Sequence, residues 1–333
     1  MRSCELVVWI ATGRCNLSCR HCYASRFVNF KELSTDEALR MVKGLAEIKA
    51  KHLSITGGEP TLRDDLPKII MEAQDRGLEV SVVTNSLLLK EESMEFLAKR
   101  NVEVQVSIDG VTKESFTKIR GPFFDTLLIK IQKLKALGTS LKPIMTINAI
   151  NYRETGDYVK LCANMETSGA ALIPLIPVGR ADRELMPDSE MVMESLIMAA
   201  QVAEELGFSI ELWCSPFARS FLASKLVEVS PCMIALGLDI APDGSILLCD
   251  TLDVKVTSID VGIPRAWEEY LNSELVKSLS SPSLKVPCKT CKYVEDCLGG
   301  CHARAKALYG DLKMPDPLCP IASKARNKVS KLY

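Results

Sequence analysis

Hydrophobic and polar positions in residues 5–178 alternate between a pattern of strand period and a pattern of helical period. Six short runs rich in Val, Ile and Leu predict strands, at Glu5–Ala11, His52–Thr56, Glu79–Thr84, Val102–Ile108, Lys142–Ile150 and Ala170–Ile176. Amphipathic stretches between them predict helices, at Ser34–Ala50, Asp64–Arg76, Lys90–Arg100, Phe123–Leu137 and Arg153–Thr167. The first helix opens with a capping box, Ser34-x-x-Glu37. This alternation predicts an α/β fold with a parallel sheet, and six units favour a partial (β/α)6 barrel over a closed barrel of eight.

The pattern changes after the sixth unit. Another amphipathic stretch, Asp188–Gly207, is followed by a strand-like run, Phe208–Leu212, and then by a cysteine-rich region. We therefore predict a partial barrel over residues 1–207, a connector over 208–231 and a small cysteine-rich domain over 232–333. Within the last of these, Ile240–Cys249 has the pattern of a β-hairpin around Pro242-Asp243-Gly244.

Polar and glycine residues follow most of the predicted strands. In parallel α/β folds the chemistry lies at the carboxyl ends of the strands, which meet at one rim. The segments at these ends are a cysteine loop after strand one, Gly57–Pro60, Thr84–Ser86, Ser107–Gly110 and Pro177–Arg180. Each segment alone could be a turn or a helix cap, but together they predict a functional site at this rim.

The loop after the first strand holds Cys15, Cys19 and Cys22 in the spacing C-x3-C-x2-C. Three thiolates can hold three irons of a cubane [4Fe–4S] cluster, whose usual complement is four cysteines. The fourth iron is then free to bind a small molecule. A zinc site is the alternative, because thiolates also suit zinc.

Composition narrows the classes of partner. The chain of 333 residues is 47% hydrophobic and 25% charged, which is ordinary for a globular protein. Its net charge of −1 gives no basic excess for nucleic-acid binding. We find no run of 18 apolar residues and no signal-peptide pattern, so we predict a cytoplasmic protein that does not enter a membrane. In that compartment the 13 cysteines are expected to hold metal or clusters instead of disulfides.

A strand, a cysteine loop, a helix and a strand that ends in GGEP together resemble the radical S-adenosylmethionine (SAM) enzymes. The segments CNLSCRHCY and GGEP carry this resemblance. It implies a (β/α)6 partial barrel and a SAM molecule whose amine and carboxylate chelate the open iron. It also implies that carbonyls of Gly57-Gly58-Glu59-Pro60 accept from the SAM amine, since glycine lets the backbone approach closely.

The same resemblance assigns further contacts to SAM. Its carboxylate needs a guanidinium partner, which the resemblance places at Arg120 in the segment Ile119-Arg120-Gly121. The remaining candidates are Ser107 and Asp109 for the ribose hydroxyls, His21 for the adenine, and Arg180 for SAM or substrate. A satisfied loop histidine and a surface arginine are the structural alternatives for the last two residues.

Seven cysteines in the last hundred residues form a second pattern. They are Cys232, Cys249, Cys288, Cys291, Cys297, Cys301 and Cys319. Their order resembles the SPASM extension of radical SAM proteins, which binds auxiliary [4Fe–4S] clusters and brings the expected number of clusters to three. The resemblance assigns Cys288, Cys291, Cys297 and Cys319 to a distal cluster and Cys232, Cys249 and Cys301 to a nearer one. The nearer cluster then has an open iron or takes Cys214 as its fourth ligand. A zinc ribbon over the four-cysteine run is the alternative, and it leaves Cys232, Cys249 and Cys319 without a role.

The resemblance also implies a reaction. An external reductant such as ferredoxin or flavodoxin reduces the first cluster, SAM is cleaved to a 5′-deoxyadenosyl radical, and the substrate loses a hydrogen atom. Auxiliary clusters are natural electron acceptors, which favours net oxidation. Asp250 directly follows Cys249, where sulfatase-maturing relatives place a proton-accepting carboxylate, although a plain hairpin aspartate is the alternative.

Three functions remain open from the sequence. The first is oxidative modification of a peptide or protein side chain by a maturase. The second is decarboxylation of tetrapyrrole propionates in the alternative haem pathway, for which Arg180, Arg183 and Arg219 offer positive charge. The third is a non-catalytic iron–sulfur carrier, against which the GGEP and IRG segments argue because a carrier needs no SAM site.

Overall fold

A sheet of eleven strands runs through the computed structural model, which describes residues 3–280 and 285–330 and omits the side chains of 326–330. The strands are β1 (Leu6–Ile10), β2 (His52–Thr56), β3 (Glu79–Thr84), β4 (Glu103–Ser107), β5 (Leu141–Ile147), β6 (Ala170–Pro174), β7 (Ile210–Leu212), β8 (Val227–Val229), β9 (Gly237–Ile240), β10 (Ser245–Leu247) and β11 (Lys255–Ser258). Their order across the sheet is β11-β10-β9-β1-β2-β3-β4-β5-β6-β7-β8. The six strands predicted from the hydrophobic pattern are therefore confirmed as consecutive neighbours.

Helices connect these strands and cover the sheet. They are α1 (Thr35–Glu47), α2 (Leu66–Asp75), α3 (Glu91–Lys99), α4 (Lys113–Arg120), α5 (Phe124–Ala136), α6 (Thr155–Asn164), α7 (Ser189–Leu206), α8 (Ile263–Asn272), α9 (Glu274–Leu279), α10 (Val294–Cys297), α11 (His302–Tyr309) and α12 (Pro320–Ser330). From β1 to β8 every neighbouring pair is parallel, so the predicted open α/β barrel with a parallel sheet is confirmed. The pattern analysis missed α4, which is short and buries only Ser115, Phe116 and Ile119.

The sheet continues across both predicted domain boundaries. β7 and β8 lie in the predicted connector and extend the parallel sheet beyond β6. On the other side β9 pairs in parallel with β1, where Leu6 lies opposite Gly237. β9 and β10 then form the predicted hairpin, with Gly244 at φ +82° in its turn. The cysteine-rich part is thus hydrogen-bonded to the first strand of the barrel.

Helix α1 shows how the two parts pack. Its predicted capping box is present, since the Glu37 amide donates to the Ser34 hydroxyl at 3.3 Å and the Ser34 amide donates to the Glu37 carboxylate at 2.8 Å. A Cβ atom at Gly44 would lie 2.6 Å from the Cβ of Ile263 in α8. Glycine at this position therefore lets α8, from the cysteine-rich part, lie directly against the barrel helix.

Candidate functional site

The loop after β1 brings the first three cysteines together at the carboxyl end of the sheet. The thiols of Cys15 and Cys19 have pKa values raised mainly by burial and further by the nearby Cys22, and none of the three forms a disulfide. The Cys22 amide donates to the Cys19 carbonyl at 3.4 Å, and the Leu17 amide approaches the Cys15 sulfur at 3.4 Å. Three thiols in one turn, without disulfides, are a donor set that fits three irons of a cubane.

The GGEP segment supports this loop through backbone contacts. The Gly58 amide donates to the Thr12 carbonyl at 2.7 Å, and the Glu59 amide donates to the Arg14 carbonyl at 2.8 Å. A Cβ atom at Gly58 would lie 2.1 Å from the Arg14 oxygen, and one at Gly57 would lie 2.5 Å from the Thr12 oxygen. Both glycines are therefore required by the close approach of the cysteine loop itself. The contact of this segment with SAM stays a prediction.

Glu59 connects the ends of β2 and β3. Its buried carboxylate accepts from the Thr61 hydroxyl at 2.6 Å, the Thr84 hydroxyl at 2.7 Å and the Asn85 amide at 2.9 Å. Burial raises the pKa of Glu59 above its ordinary value, although these hydrogen bonds oppose that shift. Pro60 begins a short turn, Pro60–Leu62, directly after it. This side chain therefore acts by holding two strand ends together.

Asp109 is the centre of a buried polar network after β4. Its carboxylate accepts from Arg120, from His21 Nε2 at 3.0 Å and from the Thr146 amide at 2.5 Å. Burial alone would raise the pKa of Asp109, but Arg120 and His21 outweigh it and hold the pKa well below its ordinary value. Because protein donors occupy this carboxylate, its predicted contact with ribose stays untested. Ser107, at the end of β4, keeps part of its surface accessible.

Two polar groups at this rim fit a ligand. His21 Nδ1 is buried and has no hydrogen-bond partner among the described residues, while its other nitrogen bonds Asp109. The guanidinium of Arg120 lies beside the cysteine loop, with Nη1 at 3.8 Å from the Cys19 sulfur. An unpartnered imidazole nitrogen and a guanidinium, both beside the three thiols, suit the adenine and the carboxylate of SAM.

Arg180 holds the cysteine loop from the far side. Its amide donates to the Cys22 carbonyl at 3.1 Å and its Nε donates to the Cys19 carbonyl at 3.0 Å. The preceding Gly179 has φ +66°, and a Cβ there would lie 2.4 Å from the Cys22 oxygen. The contacts that the structure gives Arg180 are therefore loop contacts, and its predicted contact with SAM or substrate stays a prediction.

The distal cysteine set lines one small cavity. Cys288, Cys291, Cys297 and Cys319 all face it, together with Pro287 and other apolar neighbours. Burial raises the pKa of Cys288 to about 11 and that of Cys297 to about 12, with the neighbouring cysteines adding to the shift. Such thiols are protonated at neutral pH unless a metal binds them. Four thiols around one cavity fit a fully ligated cluster.

The nearer set is also assembled, and Cys214 joins it. Burial is the main cause that raises the pKa values of Cys232 and Cys249. The nearby Cys301 thiol raises both further. The Cys214 thiol lies beside those of Cys301 and Cys249. The neighbouring Cys214 thiol, helped by Arg304, lowers the pKa of Cys301 below its ordinary value. Four thiols from distant parts of the chain therefore meet at one place.

The first loop and the nearer set meet at Tyr23 and Asp250. The Tyr23 hydroxyl lies beside the Asp250 carboxylate, and burial, followed by the charge of Asp250, raises the pKa of Tyr23 well above its ordinary value. The Asp250 amide donates to Asp239 Oδ2 at 2.9 Å, and Arg26 donates to the Asp250 carbonyl. Burial raises the pKa of Asp250, and burial together with the charge of Asp250 raises that of Asp239. Tyr23 and Asp239 were missed from the sequence, although Tyr23 directly follows the third cysteine of the loop.

Comparison with known proteins follows this geometry. The profile of the radical SAM superfamily matches residues 9–162, a span that holds the three-cysteine loop and the GGEP segment. This chain therefore contains a radical SAM domain over residues 9–162. The resemblance stated from the sequence is thereby confirmed. Among the helices of the described residues, none has the length and apolar character of a membrane span.

This chain is similar both to a heme synthase and to a peptide cyclase. It is 29% identical to an AdoMet-dependent heme synthase of Methanosarcina barkeri, over 95% of this chain and 96% of that protein. It is 27% identical to a PqqA peptide cyclase of Bradyrhizobium diazoefficiens, over 93% and 84% of the two chains. AdoMet is another abbreviation for SAM.

Two solved structures share the fold over nearly the whole chain. The structure of Streptococcus suis SuiB bound to the precursor peptide SuiA has a TM-score of 0.77 at 16% identity, over 96% of this chain and 76% of that one. Native anSMEcpe with bound AdoMet has a TM-score of 0.76 at 18% identity, over 98% of each chain. The cysteine-rich part is thus included in the shared fold.

Proposed function

We propose that this chain is a radical SAM oxidoreductase that oxidatively modifies a side chain of a peptide or protein. The observation that carries this proposal is the position of Asp250: Arg26, in the turn that follows Cys22, donates to its carbonyl, and the Cys249 thiol donates to its carboxylate at 3.6 Å. Tyr23 follows Cys22 of the first loop, and Asp250 follows Cys249 of the nearer auxiliary set. A candidate base therefore lies between the residues that would hold the radical-generating cluster and those that would hold an electron acceptor.

The residues fit the groups that this reaction needs. When bound, SAM and three [4Fe–4S] clusters would supply a 5′-deoxyadenosyl radical, reducing equivalents delivered by ferredoxin or flavodoxin, and an acceptor for the electron that the substrate loses. Cys15, Cys19 and Cys22 would hold the first cluster, and Arg120 and His21 would hold SAM. Asp250 would accept the proton that leaves the substrate, because its raised pKa brings its basicity closer to neutral pH.

Charge around the junction favours a peptide over a tetrapyrrole. Tetrapyrrole propionates need cationic partners, but the junction holds two carboxyl groups, Asp239 and Asp250, and the Arg26 guanidinium there already donates to the Asp250 and Leu252 carbonyls. Of the three arginines expected to serve this purpose, Arg180 donates to the Cys19 carbonyl and Arg219 donates to the Val229 carbonyl. Arg183 is exposed, in a short turn after β6. The PqqA peptide cyclase among the relatives supports the same choice.

Tetrapyrrole decarboxylation is the second candidate. The heme synthase of Methanosarcina barkeri supports it, because the two chains match over nearly their full lengths. The protein should therefore be offered both a peptide and a porphyrin as substrate.

The test uses anaerobically reconstituted protein with SAM and dithionite. We expect 5′-deoxyadenosine, whereas an iron–sulfur carrier makes none. Peptides encoded beside the gene and Fe-coproporphyrin III are then added in separate reactions and followed by mass spectrometry. A peptide that loses hydrogen supports the proposal, and a porphyrin that loses carbon dioxide supports the second candidate instead.

The role of Asp250 is tested in the same assay with Asp250→Asn. We expect the ratio of oxidised product to 5′-deoxyadenosine to fall by about 10²–10⁴, the usual contribution of a general base. Asp243→Asn is the matched control, because Asp243 is exposed in the turn of the same hairpin and an asparagine there can still accept from the Ser245 amide. An unchanged ratio in Asp250→Asn would remove this residue from the reaction.

A further inference from the structure

The strongest unassigned feature is the position of Cys214 relative to the nearer cysteine set. This residue lies just after β7, in the segment predicted to be a connector, and eighteen residues before Cys232. Its thiol lies beside those of Cys301 and Cys249. Because β7 pairs with β6, the strand extension carries Cys214 to the same rim as the other ligands.

A buried ion pair, Arg304 with Asp316, holds the backbones of Cys214 and Cys301. Arg304 is fully buried and donates to the Cys214 carbonyl, to the Pro174 carbonyl at 2.8 Å and to Asp316 Oδ2 at 2.9 Å. The same Asp316 oxygen accepts from the Cys301 amide at 2.7 Å. One arginine and one aspartate therefore connect the end of β6, Cys214 and Cys301.

The backbone at Cys214 is also unusual. Its φ is +52°, in the left-handed region that residues with a side chain seldom adopt. Such a conformation costs about 1–2 kcal/mol in a non-glycine residue and persists where the surroundings impose it. Here Arg304 holds the carbonyl, and the Trp213 amide donates to the Leu172 carbonyl at 2.9 Å. In this conformation the Cys214 thiol lies beside those of Cys301 and Cys249.

We infer that Cys214 is the fourth thiolate ligand of the nearer auxiliary cluster, which is therefore fully ligated by protein. This inference rests on the proposed function for the presence of that cluster. A cluster with four protein thiolates has no iron position for a substrate, so its part in the reaction is electron acceptance. The substrate is then held by the protein around the Tyr23–Asp250 junction.

The experiment measures the auxiliary clusters separately from SAM chemistry. Full-length protein with Cys15, Cys19 and Cys22 changed to Ala is the background, and Cys214→Ala is added to it. Cys162→Ala on the same background is the matched control, because Cys162 is a buried thiol of α6 that bonds only with Tyr158. All three proteins are reconstituted anaerobically, assayed for iron and oxidised with ferricyanide for electron paramagnetic resonance.

An open iron is readily lost on oxidation and leaves a [3Fe–4S] signal. We expect Cys214→Ala to gain this signal, or to lose the iron of one cluster, while the control matches the background. Cys214→Ser keeps an oxygen ligand and is expected to shift one reduction potential without loss of iron. The inference would be overturned if Cys214→Ala and Cys214→Ser both kept the iron content, the paramagnetic resonance signal and the reduction potentials of the background. Zinc bound in place of iron would also overturn it.

These outcomes are distinct from a failure of the proposed function. The background cannot cleave SAM, so its readouts do not depend on catalysis. If the intact protein makes no 5′-deoxyadenosine but Cys214→Ala still alters a cluster, the ligand assignment stands and the catalytic proposal fails.

Discussion

The first cysteine group lies within eight consecutive residues, whereas the nearer auxiliary group draws its thiols from segments between residues 214 and 301. The first loop is held by backbone hydrogen bonds from the GGEP segment and from Arg180. The second group is held by a buried ion pair, Arg304 with Asp316, that reaches two cysteine backbones. The first site therefore depends on close backbone contact, and the second depends on tertiary packing around two charges.

This difference predicts different failures. A change in the first loop should remove one cluster and leave the rest of the protein intact, because its supports are local. A change at the ion pair should lower global stability and the second site together, because both share one buried contact. The following experiments test that distinction, in order of decreasing expected effect.

Cys19→Ala removes a thiol from the first loop. We expect formation of 5′-deoxyadenosine to fall by more than about 100-fold, beyond the loss expected for an outer-shell partner. Iron in the auxiliary sets should remain. The opposite variant, Cys288→Ala, should lose iron from the distal set and still cleave SAM. Chromatography of the nucleoside product and iron analysis measure both, and equal losses in both variants would contradict the separation.

Arg304→Met leaves Asp316 buried without its cation. Breaking a buried ion pair in this way costs about 3–5 kcal/mol. We expect that loss in the free energy of unfolding, measured by anaerobic denaturant titration, together with loss of iron from the auxiliary region. Arg265→Met is the control, because the pair that Arg265 forms with Glu269 lies on the surface. A cost below about 1 kcal/mol for Arg304→Met would show that the ion pair is not the support.

Gly58→Ala tests the close approach beneath the first loop. Its Cβ would overlap the Arg14 carbonyl, so the loop must shift, at a typical cost of about 1–3 kcal/mol for overpacking. We expect iron to be lost from the first set only. Gly77→Ala is the control: its φ is positive, +85°, unlike that of Gly58, but apart from its chain neighbours no atom lies within 4 Å of the added Cβ. That variant should cost about 1 kcal/mol and keep its iron.

Tyr23→Phe removes the hydroxyl that lies beside Asp250, between the first cysteine loop and the nearer auxiliary set. We expect the ratio of oxidised product to 5′-deoxyadenosine to fall about tenfold, equivalent to about 1.4 kcal/mol in the barrier. Tyr309→Phe serves as the control, since Tyr309 is exposed at the end of α11. Identical ratios in both variants would show that the junction does not couple the regions.

Local patterns in the sequence were enough for the barrel and the first loop. The bounds of β2 and β3 agree with the predicted runs to the residue, because each is a short run containing Val, Ile or Leu that ends before turn residues. The three-cysteine loop was recognisable because all of its donors lie in one segment. By contrast, α4 was missed because few of its residues are apolar.

Long-range contacts could not be read in the same way. The spacing of the cysteines left the place of Cys214 open, because only the pairing of β7 with β6 brings it to the rim. The sequence predicts that Gly57 and Gly58 let the backbone approach SAM, and that contact stays a prediction. The structure adds a second reason for glycine, because the cysteine loop packs against both residues. Asp239 carried no signal of its own, since its neighbour Asp250 approaches only through the hairpin.

The pairing of β9 with β1 has a practical consequence for anyone who shortens the chain. Leu6–Trp9 hydrogen-bond on one side to β2 and on the other to residues 237–240. A truncated product that stops before residue 237 would leave a bare row of amides and carbonyls along an apolar strand, which invites aggregation. The cysteine-rich domain therefore completes the sheet of the barrel, and expression plans should keep the two in one polypeptide.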